Sequence, residues 1–153
     1  MYCSLNDIKD ELDVDTIIQL LNDEGRELDD IDLTSAADAI VIRANKKIAD
    51  ADTEIDSYLR ARYEVPLTSV PDDVVRYSKE ISIHNFYLHR RRQQMDEAVV
   101  NRYKMIVKEL EQVQKGFKAL SIAEITAENG IGEFRTNKTS SDKVFTKTIL
   151  DQY

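Results

Sequence analysis

A chain of 153 residues, 42% hydrophobic and 33% charged with a formal net charge of -8, is long enough to bury one core without disulfides or a structural metal. Its apolar runs are a few residues long, against the roughly 20 that cross a bilayer, and its start, MYCSLNDIKDEL, lacks the basic and then apolar stretches of a secretory signal. These features argue against a membrane partner and predict a cytoplasmic chain at synthesis; a lone cysteine, Cys3, excludes an internal disulfide or a CxxC metal site and reads as a small, partly buried residue.

The charge is uneven. Between Asn6 and Asp32 eleven acidic residues stand against Lys9 and Arg26, and the rest of the chain is close to neutral. Phosphate binding draws on clustered Lys and Arg, so this acidic end disfavours nucleic acid as a general partner and suits a basic protein face.

The first predicted helix is short: Ser4 with Asp7 three residues on makes a capping box ahead of Leu5, Ile8 and Leu12. Asp13 or Asp15 opens a second piece, whose Val14, Ile17, Ile18 and Leu21 share a face until Asn22, Asp23 and Gly25 break it. The two pieces read either as separate helices or as one bent element. Beyond the acidic loop, Thr34 or Ser35 opens the best-defined helix, since Ser35 has Asp38 three positions later. Ile40, Ala44, Ile48, Ala51, Ile55, Leu59 and Tyr63 then follow at steps of three and four, one face of a helical period.

Within that helix Asp50, Asp52, Glu54 and Asp56 alternate like the ligands of a calcium loop. A loop begun at Asp50 needs glycine at its sixth position and a bidentate glutamate at its twelfth, where this chain has Ile55 and Ala61. The four carboxylates therefore read as a solvated helix face, with no metal expected, and Lys46 and Lys47 lie one turn earlier. Arg60 and Arg62 suit the carbonyl end of the helix dipole. Pro66 stops the helix, and Pro71 followed by Asp72 and Asp73 begins the next, leaving a short stiff connector.

The following helix is predicted from about Pro71 to Arg92 and carries two stripes, Val74, Tyr77, Ile81, His84 or Asn85, and Leu88 on one side and Ile83, Phe86 and Tyr87 on the other. A helix apolar on two sides either sits centrally or buries one side against another chain. The last helix starts near Asp96, presents Val99, Tyr103, Ile106, Leu110 and Val113, and stops at Gly116. The fold class is thus all-α, a small bundle of about four to five helices with a long central pair and a poorly structured C-terminal arm. Residues 1–117 form the helical domain and 118–153 the arm. In the arm, TNKTSSD at 136–142 is a polar strap, and Val144, Phe145, Ile149, Leu150 and Tyr153 crowd into residues 144–153. That segment is too short to fold alone, so it frays, docks on a neighbouring molecule or folds back on its own domain.

No catalytic constellation emerges. His84 and His89 lie five apart, on different sides of a helix, and are poor joint metal ligands. NGIGEF at 129–134 lacks dinucleotide or Walker spacing, and no serine sits in a GxSxG turn. The expectation is a protein that is not an enzyme and uses no cofactor. His89, Arg90, Arg91 and Arg92 end a helix in dipole-matched fashion or form a docking patch for the acidic end of a next subunit or for passing DNA.

The start MYCSLNDI, the acidic loop before a long helix, the run ADTEIDSYLRARYEVPL, the run VPDDVVRYSKEISIHNFYLHRRR and an apolar end behind a polar strap together resemble the Mu-like prophage neck protein family, similar in turn to phage head-tail connector proteins. The likeness spans essentially the whole chain. It is most specific in IDSYLRARYEVPL, through Ile55, Tyr58, Leu59, Arg62, Tyr63, Pro66 and Leu67. Some relatives have an acidic loop richer in Asp and Gly; with NDEGRELDDID here, no metal site carries over.

The resemblance implies a structural virion protein: a homo-oligomeric ring subunit, monomeric or assembled when isolated, between portal and tail proteins, with DNA contact only incidental in a channel. It would be made in the host bacterial cytoplasm and end in the virion neck. On this reading Tyr58, Arg62, Tyr63, Ile83, Phe86, Tyr87, Arg90, Arg91 and Arg92 are the candidate subunit interface, and Val144, Phe145, Ile149, Leu150 and Tyr153 the docking tail. The rival reading is a small helical adaptor or regulator that binds one phage or host protein.

Overall fold

The computed structural model describes residues 1–90 and 95–125. Among these, the chain forms α1 (Leu5–Lys9), α2 (Val14–Leu21), a 3-10 turn (Leu28–Asp30), α3 (Ala39–Leu59), α4 (Asp72–Arg90) and α5 (Glu97–Gln114), with no strand. The bundle expected from the periodicity is therefore the fold. Arg91, Arg92, the segment NGIGEF, the polar strap and the whole docking tail lie outside the described residues.

Local signals set most of the helix ends. Ser4 and Asp7 make the reciprocal capping box of α1, and the Asp96 side chain accepts from the Ala98 N–H at the start of α5. At the other end of α5, Gly116 takes φ +82°; its N–H reaches the Val113 carbonyl and that of Phe117 reaches the Gln112 carbonyl, so two of the last orphan acceptors are satisfied. α1 and α2 are two separate helices, split at Asp10–Asp13. α3 begins three residues later than Ser35 as its cap would set it. The Asp38 carboxylate caps the Ile40 N–H and is gripped by Arg26, so Asp38 is the N-cap rather than the third residue of a box.

α3 and α4 form the central antiparallel pair. α1 and α2 pack on the first half of α3 and the last half of α4; α5 packs mainly on the opposite halves, with Val99 near its start reaching the first cluster. Ile40, Ala44, Ile48, Ala51, Ile55 and Leu59 are each fully buried, as their spacing requires. Tyr63 continues the stripe beyond the helix end and is buried in the chain after it. Each large side chain of this kind contributes about 1.5–3 kcal/mol when removed from water.

The core divides into two clusters. The first joins Ile8, Ile17, Leu20 and Leu21 to Ile40, Ile48, Ile83 and Phe86; the second joins Ile55, Leu59 and Tyr63 to Tyr77, Ile81, Ile106, Leu110 and Leu120. Between them lies a buried polar seam of Asp52, Ser78, Ser82 and Cys3. Burial pushes the Cys3 thiol above its ordinary range. Asp52 corrects the wet-face reading of the four carboxylates: it is 9% exposed, accepts from the Tyr2 N–H at 2.9 Å and takes the Ser78 hydroxyl at 2.7 Å. Only Asp50 of the four is fully on the outside, since Asp56 takes the Tyr2 hydroxyl and Glu54 the Tyr103 hydroxyl.

Candidate functional site

Two places collect the residues singled out from the sequence. The first is the joint where α3 ends. There the helix stops at Arg60, and the turn into a cis Val65–Pro66 bond brings Arg62 and Tyr63 beside the end of α5. The Arg62 guanidinium donates to the Val113 carbonyl at 3.1 Å and makes two 2.6 Å bonds to the Glu124 carboxylate. It lies so close to Gly116 that a Cβ there would stand 3.1 Å from Nη1, which adds to the need for glycine at positive φ. The Tyr63 hydroxyl accepts the Leu120 N–H at 2.9 Å, and the Ile125 N–H donates to the Arg62 carbonyl at 2.7 Å.

These bonds fold residues 118–125 back onto the bundle, so the helical body extends past the boundary predicted at 117. Lys118 secures the same stretch through Glu109 at 2.6 Å and the Tyr77 hydroxyl at 2.7 Å. Burial alone would raise the Glu109 carboxyl. Hydrogen bonds from Lys118, Tyr77 and Arg76 outweigh it and hold the group down at about 2. Tyr58 is half-buried beside this cluster.

The second place is the end of α4. Arg90 donates to the Asn22 carbonyl at 2.6 Å and the Gln19 carbonyl at 3.1 Å, capping the end of α2, while the His89 ring meets the Asp23 carboxylate at 2.9 Å. The arginine foreseen as a contact to a neighbour's acidic end thus serves the acidic end of its own chain. Ile83 and Phe86, 5% and 0% exposed, fill the first core cluster; the second side of the helix finds its cover inside the molecule, and these two side chains are not on a surface. Tyr63 is likewise spent in the interior. Tyr87 is half-buried against the same cluster.

An open groove of about 580 Å³ runs between α2, the acidic loop and Arg90. In its lining the Asn22 side chain exchanges two bonds with the Arg26 backbone, and the Arg26 guanidinium lies on Asp38 at 2.6 Å while its Nε is buried without a partner. A second groove, about 430 Å³, separates Tyr63 and Leu67 from Ser121 and Ile122. His84 stacks on Tyr103 with ring centroids 3.9 Å apart, and burial lowers its pKa, so it packs rather than faces His89. Sequence reasoning did not find Glu109, Lys118 and Glu124 as joints. The pairing of Lys118 with Glu109 across a glycine stop was the available signal for the first two; nothing local marks Glu124.

Side chains arranged in this way define a helical scaffold, in which the buried and half-buried polar groups are joints between elements. The sequence profile of the family described as "Bacteriophage Mu, Gp36" matches residues 2–136. Gene product J of Escherichia phage Mu is 34% identical over 104 residues, covering 68% of this chain and 71% of that protein. The chain belongs to the phage Mu Gp36 family. The Mu-like phage likeness carried by MYCSLNDI and IDSYLRARYEVPL is therefore correct, and no helix among the described residues is long and apolar enough to cross a membrane.

Proposed function

We propose that this phage protein is a structural subunit of the virion neck, joining head to tail by ring assembly between portal and tail proteins and catalysing nothing. The observation that carries the reading is the joint at Arg62 and Tyr63. The run most specific to the neck-protein likeness, IDSYLRARYEVPL, ties the ends of α3 and α5 and residues 120–125 together through Arg62 and Tyr63. Rigid bodies with unlike ends are what a closed head-to-tail ring requires. Assembly would take place in the host cytoplasm, and the protein would finish in the neck of the particle.

Deleting the gene from its prophage is expected to yield filled heads and separate tails by electron microscopy, and the protein is expected in purified particles. Its absence from particles, or normal tailed particles after deletion, would sink the reading. Removing residues 136–153, with the docking tail Val144, Phe145, Ile149, Leu150 and Tyr153, is expected to impair joining while far-UV circular dichroism keeps its helical signal.

A further inference from the structure

Around the acidic end the described cations are already engaged: Arg90 caps α2 within its own chain, Lys79 meets Glu11 and Lys9 reaches Asn6. Arg26 is turned to Asp38, and Arg43 to Asp23 and Glu24. The 3-10 turn lies on the outside. Leu28 is 59% exposed there, flanked by the exposed Glu27, Asp29 and Asp30, and among the described residues none of these three acids has an ion-pair partner.

The opposite situation holds on the outer face of α5. Lys104 and Lys108, four residues apart and so in line along the helix, are exposed on either side of Met105, which is 60% exposed. Arg62, Arg76, Lys79, Arg102, Lys115 and Lys118 each meet a carboxylate. Among the described residues Lys104 and Lys108 meet none. One face thus offers an exposed apolar side chain between lysines, and the other an exposed apolar side chain among acids.

Within one copy these faces do not meet: among the described residues Lys104 and Lys108 form no ion pair with Glu27, Asp29 or Asp30. Two copies can bring them together. We infer that the α5 face of one copy, Lys104, Met105 and Lys108, docks on the Leu28–Asp30 turn of a second copy in a head-to-tail contact. The inference rests on the ring reading above and supplies its interface. Charge complementarity selects the second copy as occupant, since both halves of the contact are present on every chain.

Sedimentation velocity of the full chain at low ionic strength tests this. The wild type is expected to associate with rising concentration. Lys104→Glu with Lys108→Glu, or Asp29→Lys with Asp30→Lys, should weaken association by roughly tenfold or more, since close like charges oppose docking. The fourfold variant has the wild-type net charge and should associate again. A wild type monomeric at every concentration, reversals without effect, or a helical fourfold variant that fails to regain association each overturns the contact; a basic host protein or DNA as the true occupant would show as one of these. The same variants in particles separate two failures. If each reversal alone enters particles at the wild-type amount, the contact is wrong and the neck reading stands; if the wild type itself is missing, the neck reading is wrong.

Discussion

At the α2 end of the central pair, guanidinium groups hold the loop in place, Arg26 on Asp38 at 2.6 Å and Arg43 on Asp23 at 3.1 Å and on Glu24 at 2.6 Å. At the α5 end phenol hydroxyls do the comparable work, Tyr77 on Glu109 and Tyr103 on Glu54, both at 2.8 Å. The first kind of tie depends on two opposite charges in partly wet surroundings and weakens with salt. The second needs only one charge, the acceptor, as at Tyr103 and Glu54, and so responds less to salt; at Tyr77 the Glu109 carboxylate also holds Lys118 and Arg76. An end rich in acids is thereby fastened with cations, while the end that receives the return segment combines phenols with Arg62 and Lys118 and leaves Lys104 and Lys108 outside.

The strongest way to break this comparison is to empty one core at a time. Phe86→Ala at the first end should cost about 3–5 kcal/mol and Leu110→Ala at the second about 2–5 kcal/mol, read from urea unfolding. Both should give one transition, because α3 and α4 run through both clusters; two separate transitions would show ends that fold independently. Next in size is the seam. Asp52→Ala leaves the Tyr2 N–H and the Ser78 hydroxyl without their acceptor and should cost roughly 1–3 kcal/mol, whereas a loss within error would mean that the seam is wet.

Protonation separates the ends further. Glu109 titrates at about 2 in the folded chain against an ordinary 4.5, so its contribution is fully present above about 4.5 and is lost as pH falls through about 2. Glu109→Gln should flatten the dependence of stability on pH across that window, and an unchanged slope would contradict the joint. Burial, aided by hydrogen bonds to Asp56 and Glu54, raises the Tyr2 and Tyr103 phenols from 10.0 to about 12. Their contribution is present below about 10 and is lost as pH rises through about 12, which ultraviolet titration of the phenols can follow. The smallest expected effect is at the loop: Arg43→Gln should lower the urea midpoint slightly at low salt, and the difference should close at roughly 1 M salt, where charges are screened within about 3 Å.

Much of the bundle was legible because its cause is local. The stripe from Ile40 to Leu59, the Ser4–Asp7 box, the Asp96 start and the Gly116 stop each follow from spacing or from one residue's stereochemistry. What escaped was decided by partners far along the chain. Asp52 stands four after Ile48 and three before Ile55, a position on the buried stripe; counting only its charge hid that, because its partners are Tyr2 and Ser78. Ser35 lost the start of α3 to Asp38 for a similar reason, the pull of Arg26 from twelve residues upstream. Of the candidate interface, Ile83, Phe86 and Tyr63 look like surplus apolar surface until α1, α2 and residues 120–122 are folded over them, and one sequence does not say where that cover comes from.

The hydrogen bond from the Ile125 N–H to the Arg62 carbonyl, with Glu124 gripped beside it, anchors the last described residues to the end of α3. Tension on anything attached downstream would enter at Arg62 and run along α3 and the end of α5, bypassing the acidic loop altogether. A molecule pulled from that side would strain its tyrosine-fastened half first, and the α2 end would stay at rest as a handhold for whatever it touches.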